Sequence, residues 1–146
     1  MQVVISGTKE DLLDAEYIFK KNGAKKFIHL NVSSAFHSRL MKNAENKMKL
    51  LLNKISFQDP SYCFISNFSA KETNDSKIIF DNLTKQMSNK VRWVESIKCL
   101  ENLNENKIIE IGPGNVLSGL IKRISNKFTL FNINSVEDLY NFVNEV

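Results

Sequence analysis

The sequence predicts an α/β fold built on a largely parallel sheet, and three observations carry that expectation. Strand-like and helix-like patterns alternate along the whole chain. Gly, Pro, Asn and Asp punctuate them at short intervals, with no internal repeat and no low-complexity linker. With 146 residues and 42% hydrophobic composition, there is apolar mass for one core of ordinary size but hardly for two.

Taken in order, QVVIS (Gln2 to Ser6) is β-rich and is closed by Gly7. Thr8 and Asp11 have capping-box spacing ahead of an amphipathic helix that Gly23 ends. KFIHLNV then reads as a second strand, completing a β-α-β unit. Because the first strand starts at the second residue with no lead-in, a missing N-terminal part is expected. After a loop from Ser33 to Phe36, the residues Leu40, Ala44, Met48, Leu51, Leu52 and Ile55 keep a helical period and predict one helix from about His37 to Asn53, with Asp59-Pro60 as its break. SYCFISN reads as a buried strand ending at Asn67. A helix follows from about Asp75 to Ser88, with Ile79, Leu83 and Met87 on one face, and another begins near Trp93. NKIIEIG is a strand, GPGN a turn and VLSGLIKRI a helix; FTLFNI and the Ser135-capped SVEDLYNFVNEV close the chain.

The net charge of +4 comes almost wholly from lysines scattered along the sequence, with no block of like charges, so it favours acidic partners only weakly. Nucleic-acid binding calls for a basic stripe interleaved with aromatics, and none is present. Cys63 and Cys99 stand alone, with no CxxC pair and no nearby His, so two reduced thiols and no metal site are expected. The N-terminal apolar run is too short for a signal peptide and no segment reaches membrane-spanning length, which leads to the expectation of a cytoplasmic protein with no membrane role.

Two stretches invite a chemical reading. IGPGNVLSGLIKRI sets Gly112, Gly114 and Gly119 between a strand and a helix, as a phosphate cradle would, but G-x-G-x-x-G spacing and a G-K-[ST] ending are absent and Pro113 removes an amide; a tight strand-to-helix turn is the better reading. His37 lies where a strand gives way to a helix. At a first helical turn it would feel the positive end of the macrodipole, which favours the neutral ring that a general base must have. From position alone, a partly buried capping histidine stands beside that reading. A base also needs a nucleophile. No G-x-S-x-G elbow occurs, Ser33, Ser34 and Ser38 lie on the same loop and helix start as His37 and look like caps, and neither cysteine has an electropositive setting.

Five stretches, QVVISGTKEDLLDA, LNVSSAFHSRLM, ISNFSAK, KQMSNKVRWVESI and IEIGPGNVLSGLIKRI, resemble in order and spacing the C-terminal half of malonyl-CoA:acyl carrier protein transacylase, over nearly the whole chain. The resemblance implies the C-terminal half of an α/β-hydrolase-like acyltransferase core with part of a ferredoxin-like small subdomain. Residues 1–32 would be the second half of the small subdomain, and 33–146 the C-terminal part of the large one. It implies ping-pong transfer, in fatty acid synthesis, of malonyl from coenzyme A to a serine, and then to the phosphopantetheine thiol of acyl carrier protein. The substrates would be malonyl-CoA and phosphopantetheinylated carrier protein, with no bound cofactor.

Carried over residue by residue, His37 matches the catalytic histidine that takes and returns the proton, and Gln86 the position whose main-chain carbonyl orients it. Gln86 also falls in the last turn of the predicted 75–88 helix, where carbonyls lack intrahelical partners; a plain surface glutamine is the alternative. Phe36 matches the aromatic that marks malonyl-selective members in AFH, against a reading as core filler. Ala35 and Lys90 depart from prolines common in relatives. The serine elbow, an oxyanion-donor loop and the arginine that pairs with malonyl belong to the family's first half. The chain alone is therefore expected to be inactive, and a separate N-terminal half is a candidate partner. A non-catalytic remnant or carrier-protein-binding module is the alternative from another class, and half of a polyketide-type acyltransferase a third reading.

Overall fold

The computed structural model describes residues 3–145. The chain divides into two compact units, Met1–Val91 and Arg92–Val146.

In the first unit, helix α1 (Lys9–Lys21) starts at the capping box its sequence announces. The Thr8 hydroxyl accepts from the Asp11 amide at 3.1 Å, and the Asp11 carboxylate accepts from the Thr8 amide at 3.3 Å. Gly23, with φ 90°, ends the helix in the left-handed region. The strands expected on either side are not formed: residues 3–6 and 26–32 are irregular, and Gln2 lies outside the described residues. A helix closes its own hydrogen bonds, whereas a strand exists only when a neighbour takes its amides and carbonyls. Neither segment meets such a neighbour among the described residues, so the β-α-β unit is absent and Ile28, Leu30 and Val32 stay about 60% exposed.

The helix expected from His37 to Asn53 is shorter and in two pieces, a 3-10 turn at Arg39–Met41 followed by α2 (Lys42–Leu52). Ser38 caps the turn, its hydroxyl accepting from the Leu40 amide at 3.3 Å. The inward stripe also differs from the predicted one. Met41, Ala44, Met48 and Leu52 turn inward together with a buried Glu45, while Leu40, Leu51 and Ile55 are half-exposed or more. Of the strand expected at 61–67, only β1 (Phe64–Ile65) forms, antiparallel to β2 (Glu72–Thr73) from the loop that follows. The turn between them is tied to α3 (Ser76–Lys85) by Asn82 Nδ2 donating to Ser69 Oγ at 3.2 Å. Asp75 caps α3 by accepting from Lys77 and Ile78; Ile79 of α3 is buried, and α3 packs against α2.

The second unit holds α4 (Trp93–Asn102), β3 (Lys107–Ile111), α5 (Val116–Ile124), β4 (Thr129–Ile133) and α6 (Val136–Glu145). Strands β3 and β4 pair in parallel, Lys107 against Thr129 through Ile111 against Ile133, with α5 as the connection between them. Ile97, Ile121 and Ile133 form its core, and Phe131 meets Phe142 of α6 edge-on at 5.0 Å. Ser135 and Asp138 form the capping box of α6. This strand-helix-strand-helix order is the α/β pattern the sequence predicts.

Candidate functional site

His37 stands two residues ahead of the 3-10 turn rather than inside a helix, and its backbone is left-handed, with φ 61°. That conformation turns the residue toward the C-terminal end of α3. Its amide donates to the Met87 carbonyl at 3.2 Å. Its ring Nδ1 lies 2.9 Å from the Gln86 carbonyl oxygen and 3.2 Å from that of Asn89. Gln86 is the C-cap of α3, so its carbonyl has no amide one turn further along the helix to satisfy it. Carbonyl oxygens only accept, so Nδ1 carries the proton and the neutral ring presents the Nε2 lone pair. Among the described residues, no side chain or backbone group bonds Nε2, and the residue is exposed. The expected setting at the positive end of a helix is thereby corrected: the ring faces two carbonyls, and the backbone amide a third, at the negative end of another. Chemically, this is an oriented imidazole with a free acceptor nitrogen.

Of the other residues singled out, Phe36 is 46% exposed on the same loop, which does not fit core filler. Ser38 is a cap, as expected, its hydroxyl also donating to the Ala35 carbonyl at 2.7 Å. Cys63 is exposed and Cys99 partly buried, both as free thiols. His29 pairs with Glu16 of α1 at 2.7 Å and its ring packs on Phe27. Hydrogen bonds from Lys20 and His29 hold the Glu16 carboxyl below its usual range. Among the described residues, no three His, Cys, Asp or Glu side chains gather as a metal site would require. A cavity of about 260 Å³ opens between the start of α1 and the 3-10 turn, lined by Ile5, Asp11, Ser38 and Arg39 among others, but His37 does not line it.

The GPGN segment is a turn, as expected. Gly112 and Gly114 have φ 131° and 91°, and the Gly114 amide donates to Asn134 Oδ1 at 2.7 Å. The amides at the start of α5, Leu117 and Ser118, donate to the Glu110 carboxylate at 3.0 and 2.7 Å. The groups a phosphate would need are already engaged by β3 and by Asn134.

Sequence reasoning missed Glu45. It is 4% exposed on α2 and its carboxylate accepts from Lys42 and from the Ser88 hydroxyl. Burial alone would raise this carboxyl, but the Lys42 and Ser88 hydrogen bonds and the charges of Lys42 and Lys85 together hold it below its usual range. Its signal was a polar residue at i+4 from Met41 and seven before Leu52, inside an apolar stripe.

No protein-family model matches the chain. Among curated proteins, it is 39% identical over 138 residues to the malonyl CoA-acyl carrier protein transacylase of Bacillus subtilis (strain 168), covering 94% of this chain and 44% of that protein. It is 36% identical to the transacylase of Staphylococcus aureus (strain MSSA476), covering 45% of it. Its fold superposes on a solved structure of the Streptococcus pneumoniae transacylase with a TM-score of 0.88 at 31% identity, over 96% of this chain and 46% of that one. The chain is homologous to the C-terminal half of malonyl-CoA:acyl carrier protein transacylases. A second transacylase structure, a malonyl-transacylase in complex with a type II polyketide synthase acyl-carrier protein, matches with a TM-score of 0.89 at 33% identity and 45% coverage of that chain. The polyketide biosynthesis protein PksE of Bacillus subtilis is 40% identical over 127 residues, which are 16% of its length. The chain thus spans less than half the length of the transacylases it matches, and AFH, Gln86 and the GPGN turn all fall within the transacylase-like span.

Proposed function

We propose that the chain supplies the histidine half of a malonyl-CoA:acyl carrier protein S-malonyltransferase, with His37 as general acid and base and the Gln86 carbonyl as its orienting acceptor. The observation that carries this reading is the convergence of the Gln86 and Asn89 carbonyls on Nδ1, which leaves Nε2 as the proton acceptor. A serine from a segment like the relatives' first half attacks the malonyl thioester carbonyl while its Oγ–H proton passes to Nε2. The tetrahedral adduct expels the CoA thiolate, which takes that proton. In the second half-reaction the phosphopantetheine thiol gives its proton to Nε2, its sulfur attacks the malonyl-serine ester, and the leaving serine oxygen is reprotonated.

In this reading, residues 1–32 belong to a ferredoxin-like small subdomain and 33–146 to the large acyltransferase subdomain. Fatty acid synthesis in the cytoplasm is the setting, acyl carrier protein is the partner and phosphopantetheinylated carrier protein the acyl acceptor. Since no G-x-S-x-G occurs in this sequence, the chain alone transfers nothing. The test combines it with a polypeptide carrying the serine-bearing first half of a transacylase and measures malonyl transfer to carrier protein. Transfer is expected from the pair and from neither part alone. His37→Ala should lower it by about 10²–10⁴-fold, the range for a lost general base. Transfer by this chain alone, or an undiminished His37→Ala rate, would overturn the reading; carrier-protein binding without transfer by any combination would favour a binding module.

The PksE match favours one second reading, a polyketide-type acyltransferase half. Discrimination between malonyl and methylmalonyl by the reconstituted pair bears on it, and methylmalonyl as the preferred substrate would support it.

A further inference from the structure

We propose that Glu45 is a positioning residue for His37, acting through Ser88 to hold the loop after α3 whose carbonyls fix the imidazole. The functional meaning rests on the reading of His37 as the base, but the linkage itself is a property of this chain. The loop has no regular structure of its own and its backbone carbonyls at 86, 87 and 89 all bond His37. Something must keep them aimed. Asn89 Nδ2 donates to the Lys85 carbonyl at 2.8 Å and to Ser88 Oγ at 3.3 Å, which ties the loop to the end of α3. The Ser88 hydroxyl in turn donates to the Glu45 carboxylate, which ties it to α2. A continuous path of hydrogen bonds therefore runs from Glu45 through Ser88 and Asn89 to the ring.

Glu45 occupies a place where an apolar side chain would serve packing better. It sits on the stripe of Met41, Ala44, Met48 and Leu52 and is 4% exposed, so its carboxylate gives up hydration there. Lys42 neutralises it from a side chain that is 63% exposed, and the second hydrogen bond goes to Ser88. A carboxylate whose burial is opposed by desolvation and whose bonds lead to the loop under His37 serves orientation rather than stability. Neutral imidazole can take either tautomer. Two carbonyls at Nδ1 select the form with Nε2 free, and loosening the loop should release that selection.

The test is ¹⁵N NMR of the full chain labelled at histidine, in alkaline buffer that keeps the ring neutral, reading the His37 Nδ1 and Nε2 shifts. Wild type should show one dominant Nδ1–H form. In Ser88→Ala and Glu45→Leu, the Nε2–H form should rise relative to it by about fivefold, the loss of one net hydrogen bond. Glu45→Gln, whose amide oxygen still accepts from Ser88, should restore the wild-type pattern. Amide shifts across the first unit, which holds Glu45, Ser88 and His37, report whether each variant is folded; should Glu45→Leu fail to fold, Ser88→Ala decides. An unchanged tautomer ratio in folded Ser88→Ala overturns the proposal, as does a change in Glu45→Leu that Ser88→Ala does not share. A wild-type ring without a dominant Nδ1–H form would instead sink the reading of the site itself.

Discussion

The left-handed backbone at His37 disfavours any side chain with a Cβ by about 1 kcal/mol or more. The opposing gains are its amide bond to Met87 and the ring bonds to Gln86 and Asn89. These two contributions can be separated. His37→Ala loses the ring bonds and keeps the strain, whereas His37→Gly loses the ring bonds and relieves it. Urea unfolding should therefore find the glycine variant more stable than the alanine variant by about 1 kcal/mol, with both below wild type in malonyl transfer. Equal stabilities would mean that the backbone is relaxed there. Phe36 makes a second residue-level expectation. It is half-exposed one residue before His37, so in the reconstituted pair Phe36→Ala should lower the preference for malonyl over methylmalonyl by about tenfold, the worth of one methyl group in a pocket. An unaltered ratio would leave Phe36 without a role in selection.

Among the elements, those legible in the sequence are the ones that carry their own hydrogen bonds and caps. Thr8 with Asp11, Asp75, and Ser135 with Asp138 each start the helix their spacing predicts, and Thr8→Ala should destabilise the chain by about 1 kcal/mol in the same urea assay. What the sequence hid depends on partners. Residues 26–32 have strand composition but no ladder, and Ser88 meets Glu45 across 43 positions, a pairing no local pattern announces. His37 and Gln86 were legible as a pair only through the family resemblance, because a carbonyl acceptor leaves no mark on side-chain identity. The caps also set the acid limit. Hydrogen bonds from Ser118, opposed by partial burial and aided by the Leu117 amide and Asn132, hold Glu110 below its ordinary value of 4.5. Such a group stabilises the fold above its unfolded pKa, and that contribution fades as pH falls through the lower, folded one. Thermal stability should thus be level above about pH 4.5 and decline below it, and Glu110→Gln should flatten that decline while lowering the plateau. A decline as steep in the variant would assign acid sensitivity elsewhere, to Glu45 or to the capping Asp11 and Asp138, whose carboxyls are also held low.

At the scale of the molecule, each unit leaves apolar surface uncovered in a way that ordinary scattered exposure does not explain. In the first unit Val3 and Val4 are about 70% exposed, and Ile28, Leu30 and Val32 expose alternate positions of a segment that has no strand partner among the described residues. In the second, β3 turns Ile108 and Glu110 inward and leaves Ile111 79% exposed, so one face of the two-stranded sheet is open. Parallel strands usually need cover on both faces, and this chain spans less than half of the transacylases it matches. The chain by itself should therefore self-associate as its concentration rises, through open strand edges and apolar faces together. Sedimentation velocity across a concentration series should show species larger than the monomer. Adding the serine-bearing half of a transacylase should replace them with a one-to-one complex, because burying these faces removes the drive to associate. Ile111→Lys with Leu30→Lys tests the cause: it should restore the monomer while weakening that complex. A wild-type chain that sediments as a sharp monomer at every concentration would show instead that these surfaces are tolerated in water, and that the chain stands as a domain of its own.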